Sequence, residues 1–175
     1  MLNGKRDYFY NVKSIDYRVA LMLGGNLGDT RRYLSEAIRL LAERIGKIER
    51  LSGIYLSQPW GLDNQPTFQN QAIVVISKLT PIEILENTKI IEGELGRIRR
   101  ELNGPREIDI DILLFEEFAI SEKDLEIPHP RLHLRNFNLV PLAEIAPDWV
   151  HPVFNRTISS LLEDCPDTLP VQKIT

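Results

Sequence analysis

The sequence predicts an α+β fold with a β-α-β-β-α-β core, a mostly antiparallel sheet and helices packed on it. Two observations lead there. Apolar runs of strand length are interrupted twice by apolar residues at helical spacing between residues 17 and 115. Glycine- and proline-bearing turns separate these stretches. That element order is the split βαβ arrangement of ferredoxin-like folds.

Residues 17–23 (Y-R-V-A-L-M-L) read as a buried strand. Gly24-Gly25-Asn26-Leu27-Gly28-Asp29 turns the chain into a helix, with Asp29 as its N-cap. The turn lacks a Gly-Lys-Ser/Thr ending and a G-x-G-x-x-G pattern, so it reads as a tight turn and not as a phosphate loop. Leu34, Ala37, Ile38, Leu41 and Ile45 keep helical spacing as far as Gly46. Residues 48–57 form the second strand and 68–77 the third. Between them lies a polar loop, 58–66, with an exposed tryptophan at Trp60. Thr80-Pro81-Ile82-Glu83 opens the second helix with a capping box and proline at its first position. Ile84, Thr88, Ile91, Leu95 and Ile98 make its buried stripe. Glu92, Gly96 and Arg99 lie on an adjacent face, either toward a site or toward solvent. After the fourth strand come a hairpin or short connection over 116–127 and helices over 138–145 and 157–162. A single domain is expected over 17–164, with residues 1–16 an extension and 165–175 an uninformative tail.

Composition narrows the function. Hydrophobic content of 43% and charged content of 26% are ordinary for a globular chain of 175 residues. A net charge of −4 argues against nucleic-acid binding. Arg97, Arg99, Arg100 and Arg106 are nevertheless clustered, which suggests a local anion site. A lone Cys165 excludes a disulfide framework or cysteine metal cluster and fits a reducing cytoplasm. No stretch resembles a signal peptide or a membrane span.

The chemistry concentrates in residues 104–115, G-P-R-E-I-D-I-D-I-L-L-F. Side chains alternate along a strand, so Asp109 and Asp111 share one face while Ile108, Ile110 and Ile112 share the other. Two carboxylates so placed suit a hard cation, and Mg²⁺ takes one or two carboxylates plus water and substrate phosphates. Arg106 on the same face would offset phosphate charge. Leu113-Leu114-Phe115 read as continuing an interior strand, not an edge. Phe68 and Asn70 share a face and could stack on and hydrogen-bond a planar heterocycle. Alone, the pair reads as a core phenylalanine and an edge asparagine. His129 and His133 have zinc spacing without a third ligand, so phosphate contact by His129 and Arg135, with Phe137 as a stacking ring, is the better reading.

Six motifs in order resemble one family. They are Gly24-x-Asn26-Leu27-Gly28-Asp29; Ser57-x-Pro59-x-Gly61-x-x-x-Gln65-Pro66-x-Phe68-x-Asn70; Glu92-x-x-x-Gly96-Arg97-x-Arg99; Gly104-Pro105-Arg106-x-Ile108-Asp109-x-Asp111; Pro128-His129-Pro130-Arg131 with Arg135-x-Phe137; and Pro141-Leu142-x-Glu144-Ile145-Ala146-Pro147. Over residues 17–152 the chain is similar to 6-hydroxymethyl-7,8-dihydropterin pyrophosphokinase. The resemblance implies Mg²⁺-dependent transfer of the pyrophosphoryl group from ATP to the pterin hydroxymethyl group, releasing AMP, a step of folate biosynthesis. It implies Arg97, Arg106, Asp109 and Asp111 as catalytic residues, with Asp109 and Asp111 holding two Mg²⁺ ions. Lys89, Glu92, Arg99, Arg106, Ile112, His129 and Arg135 would take ATP. Ser57, Gln58, Trp60, Phe68, Asn70 and Phe137 would take the pterin. Its partners would be these two substrates only, with neither nucleic acid nor membrane, and a cytoplasmic monomer is expected. Gln58, Lys89 and Asn103 depart from residues common in the family. Two other readings compete: a related Mg²⁺-dependent phospho- or nucleotidyltransferase with another acceptor, and a nucleotide-binding module without chemistry.

Overall fold

The computed structural model describes residues 16–60, 64–98 and 104–174. Four strands make the core sheet: β1 (Tyr17–Gly25), the broken pair β2 (Gly46–Leu51) and β3 (Tyr55–Ser57), β4 (Phe68–Ser77), and β5 (Asp109–Phe115). Their order is β3–β4–β1–β5, with β2 beside β3 on β4, and every pairing is antiparallel. Helices α1 (Thr30–Arg44) and α2 (Pro81–Glu94) cover one face, as the ferredoxin-like order requires.

The other face is covered as well. Helices α3 (Asn136–Ile145) and α4 (Ile158–Glu163) pack Leu139, Leu142, Ile158 and Leu161 onto Ala20, Met22, Val74 and Leu113. Burial on both faces explains why β1 reads as continuous apolar sequence and does not alternate. The hairpin β6 (Ile120–Glu122) and β7 (Leu125–Ile127) forms as the sequence suggests. A second two-stranded ribbon, β8 (Val150–His151) with β9 (Arg156–Thr157), precedes α4.

Five expectations change. The strand expected over 48–57 is broken, because Ser52 bonds β4 with its side chain. Its Oγ accepts from Ala72 N at 2.9 Å and its N–H donates to Ala72 O at 2.9 Å, which inserts one extra residue before Tyr55 pairs with Asn70. Helix α2 stops at Glu94 and does not carry Ile98, which is 61% exposed. Gly96 takes φ +85° and Arg97 N donates back to Glu92 O, a glycine-terminated helix end that swings Arg97 off the helix axis. Strand β5 is the end strand of the sheet, not an interior one. Its outer edge is closed by other groups, with Glu92 Oε1 accepting from Ile110 N at 2.7 Å and His129 N donating to Leu113 O at 2.9 Å. Helix α3 begins two residues earlier than the 138 expected from its apolar pattern. The residues read as a tail carry β10 (Val171–Lys173), which adds a strand beside β3. Among the described residues no helix is long and apolar enough to cross a membrane.

Candidate active site

The site opens on the α3 face of the sheet, around a cavity of about 230 Å³. Its floor is the middle strand. Gly24 pairs with Asn70 on one side and Asp109 on the other, and Met22 pairs with Asp111. The register therefore sets an amide and two carboxylates on either side of a glycine. A Cβ at Gly24 would stand 2.6 Å from Asn70 Oδ1, so the floor must stay bare there.

The carboxylates face a ring of arginines. Asp109 Oδ1 lies 2.5 Å from Arg97 Nη1, and Asp109 Oδ2 lies 2.6 Å from Arg106 Nη1. Arg97 also bonds Glu92 Oε2 at 2.5 Å. Burial, followed by the charges of Asp109 and Glu92, pushes the Asp111 carboxyl up to about 7. Burial and then the charge of Asp109 also raise Glu92. Burial alone would lower Arg97, but the carboxylates of Asp109 and Glu92 outweigh it and hold the guanidinium raised. This wall carries more negative charge than its arginines offset, which is what a cation site requires. Asp109 and Asp111 both line the cavity, and a pair of carboxylates is the donor set that suits Mg²⁺, which takes few protein carboxylates and completes its shell with water and phosphate.

The opposite wall has the opposite imbalance. Burial, then Arg135 and Arg131, lower His129 to about 4, and burial followed by Arg131 lowers Arg135 to about 10. His129 Nδ1 accepts from Arg131 N at 3.1 Å, so the neutral ring carries its proton on Nε2 as a donor. Arg106 Nε and Arg135 Nε are buried without hydrogen-bond partners among the described residues. Such orphaned cationic donors suit an anion.

The third wall is aromatic. The Arg106 guanidinium lies 5.4 Å over Phe68, and that of Arg135 lies 4.4 Å over Trp60 and 5.3 Å over Phe137. Trp60 is thus half-buried, not the exposed ring expected. Asn70 Nδ2 donates to Ser57 Oγ at 2.8 Å, which fixes the amide.

Residues 20–147 match the family described as 7,8-dihydro-6-hydroxymethylpterin-pyrophosphokinase. The chain belongs to that family. The Aquifex aeolicus 2-amino-4-hydroxy-6-hydroxymethyldihydropteridine pyrophosphokinase is 43% identical over 140 residues, covering 80% of this chain and 87% of that protein. The Bacillus subtilis enzyme of the same name is 44% identical over 126 residues, covering 71% of this chain and 75% of that protein. The fold matches wild-type Plasmodium falciparum HPPK-DHPS with a TM-score of 0.71 at 20% identity, covering 86% of this chain and 45% of that one, so this chain spans under half of that structure. Membership makes this pyrophosphokinase an enzyme of the diphosphotransferase class and supports pyrophosphoryl transfer within folate biosynthesis.

In this family member, Arg97, Arg106, Asp109, Asp111, His129 and Arg135 line the cavity together with Ser57, Gln58, Trp60, Phe68, Asn70 and Phe137. Lys89 and Glu92 line an adjoining cavity on the α2 side, which shares Arg97, Asp109 and Asp111 with the first. Ile112 lines neither, and packs in the core beneath α1 and α2. Arg99 lies outside the described residues. His133 packs against Phe154 with centroids 4.5 Å apart and does not line the cavity that holds the carboxylates.

Sequence reasoning missed Arg131 as a wall residue, although it stands inside a quoted motif as one of four histidine and arginine residues in seven positions. It also missed Asn26. That side chain donates to Gln65 Oε1 at 3.1 Å and Pro66 O at 2.9 Å, and accepts from Arg106 N at 2.9 Å. Asn26 thereby ties the aromatic-wall loop to the arginine-bearing turn, and no local pattern announces it.

Proposed function

We propose that the chain transfers the pyrophosphoryl group of ATP to the hydroxymethyl oxygen of 6-hydroxymethyl-7,8-dihydropterin, releasing AMP, as a cytoplasmic monomer dependent on Mg²⁺. The observation that carries this is a single cavity with a carboxylate wall, a cationic wall and an aromatic-amide wall. Each wall suits one part of that reaction and no simpler one.

The new bond joins the acceptor oxygen to the β-phosphorus. The bond from the β-phosphorus to the α,β-bridging oxygen breaks, its electron pair leaves with AMP, and the acceptor hydroxyl proton passes to solvent. Mg²⁺ held by Asp109 and Asp111, two ions on the family pattern, would offset phosphate charge. The protein supplies alignment and further charge. The His129 Nε2–H and the Arg135 guanidinium are donors for the phosphate oxygens. Arg97 and Arg106, now paired with Asp109, are placed to turn toward phosphate when that carboxylate takes another partner. The cavity holding Lys89 and Glu92 is the nucleoside end, and on the family pattern Arg99 would also contact ATP. Phe68, Phe137 and Trp60 clamp the flat pterin, while Asn70, fixed by Ser57, reads its edge with Gln58 nearby.

The test is AMP formation from ATP and Mg²⁺, with and without the pterin, for the parent and Asp111→Ala. The expected result is pterin-dependent AMP that Asp111→Ala abolishes while keeping its fold by circular dichroism. Production of ADP, AMP without pterin, or turnover indifferent to Mg²⁺ would each overturn the reading.

A further inference from the structure

The family match ends at residue 147, yet the chain beyond it returns to the aromatic wall. Residues 166–169 lie across a second cavity from Gln58 and Trp60, and β10 then pairs with β3, setting Val171 opposite Ser57. Between these contacts Asp167 reaches the start of α3. Its Oδ2 accepts from Asn136 N at 2.9 Å, its backbone carbonyl accepts from Asn136 Nδ2, and its Oδ1 accepts from Leu169 N at 3.0 Å.

The residue in the cap position of α3, Arg135, makes no side-chain cap bond. The helix is instead capped by a carboxylate 31 positions away in sequence. The first amides of a helix need acceptors, and aspartate at the positive end of the helix dipole is among the best. Asn136 stands between the two residues that matter most on this wall, for Arg135 lies 4.4 Å over Trp60 and 5.3 Å over Phe137.

On the reading of Trp60, Phe68 and Phe137 as the acceptor clamp, we propose that Asp167 is a positioning residue for the pterin half of the site. It fixes Asn136 from both its backbone and its side chain, and so sets Arg135 and Phe137 against Trp60. The nucleoside end, built by α2 and β5, touches none of residues 166–169. Arg135, which on the same reading faces the ATP phosphates, moves with Phe137, so loss of Asp167 should weaken pterin binding most and ATP binding less.

The test is steady-state kinetics on Asp167→Ala and Asp167→Asn, with pterin and MgATP varied separately and thermal unfolding recorded for each. Asp167→Ala is expected to raise the pterin KM roughly tenfold, as loss of a good cap allows, with a smaller rise of about threefold in the ATP KM through Arg135. Asp167→Asn should recover part of that loss, since its Oδ1 still accepts from Asn136 N while its Nδ2 cannot accept from Leu169 N. An unchanged pterin KM, an equal rise in both KM values, or asparagine behaving as alanine would overturn the role. If Asp167→Ala does not fold, Asn136→Ala removes only the bond to the Asp167 carbonyl and should show a smaller rise of the same kind. A flat result there overturns the role equally. A parent without pterin-dependent AMP refutes the acceptor assignment itself, whereas an active parent with an indifferent Asp167→Ala refutes the positioning alone.

Discussion

Asn26→Ala is the substitution that most directly tests how the site is held together. The Asn26 side chain is 7% exposed and makes bonds to Gln65, Pro66 O and Arg106 N. Alanine leaves the Pro66 carbonyl and the Arg106 amide without those partners. The part-buried Arg106 amide so stranded costs about 1–3 kcal/mol. Pro66 is exposed, so its carbonyl turns to water, and Gln65 can do the same. About 2 kcal/mol of lost stability remains. For a domain of this size that is a fall of roughly 4–8 °C in Tm. Activity should fall beyond what unfolding explains, because the same side chain registers the loop bearing Trp60 against the turn bearing Arg106. Thermal unfolding by circular dichroism and pterin-dependent AMP formation well below Tm read the two effects. Asn26→Asp keeps the acceptor for Arg106 N but sets a charge against the Pro66 carbonyl, and should also be destabilised. An Asn26→Ala protein within about 1 °C of the parent Tm, with unchanged kinetics, would refute the account of this residue.

Two further outcomes follow from the geometry. Gly24→Ala puts a methyl group 2.6 Å from Asn70 Oδ1, so Asn70 must give up its bond to Ser57. Initial rates should show a pterin KM raised roughly tenfold, with a smaller effect on ATP. His151 is lowered from 6.5 to about 4 by burial and then by His133, while its Nδ1 accepts from Val153 N and Phe154 N. Between those two pH values His151 takes a proton more readily in the unfolded chain, so its own contribution to stability is lost as pH falls through the window, while the raised Asp111 and Glu92 carboxyls act in the opposite direction. His129 is lowered as His151 is, also to about 4. Urea unfolding at several pH values should show this contribution missing in His151→Gln, and a slope identical to the parent would exclude His151 as a contributor.

Period-two alternation located the carboxylate pair, and its sidedness is as read. Asp109 and Asp111 face the cavity, and Ile108, Ile110 and Ile112 face α1 and α2. The apolar run that follows the pair misplaced β5 in the sheet. Leu113, Leu114 and Phe115 are fully buried, but by the α3–α4 layer and the Tyr17 and Phe118 rings, and sequence hydrophobicity records burial without recording what does the burying. The Ile112 side chain, at a position assigned to the nucleotide by likeness, packs in the core by its strand parity, which leaves only its backbone to meet a nucleotide. The helix end at Gly96 was readable from its glycine, yet the apolar stripe through Leu95 and Ile98 outweighed it, and Ile98 proved exposed.

The features that escaped share one property, which is that each closes a long interval of chain through a polar side chain. Asn26 meets Arg106 N from 80 residues away, Glu92 meets Ile110 N from 18, and Asp167 meets Asn136 N from 31. All three accept a backbone N–H that no strand or helix partner reaches, at a sheet edge, a turn or a helix start. Buried amides must be satisfied, so wherever regular structure stops beside a cavity some side chain has to finish the bonding. A local pattern shows where an element ends but not which distant residue completes it. In this chain those completing residues stand directly behind Arg106, Asp109, Arg135 and Phe137, so the polar groups that close the fold are also the ones that aim the site.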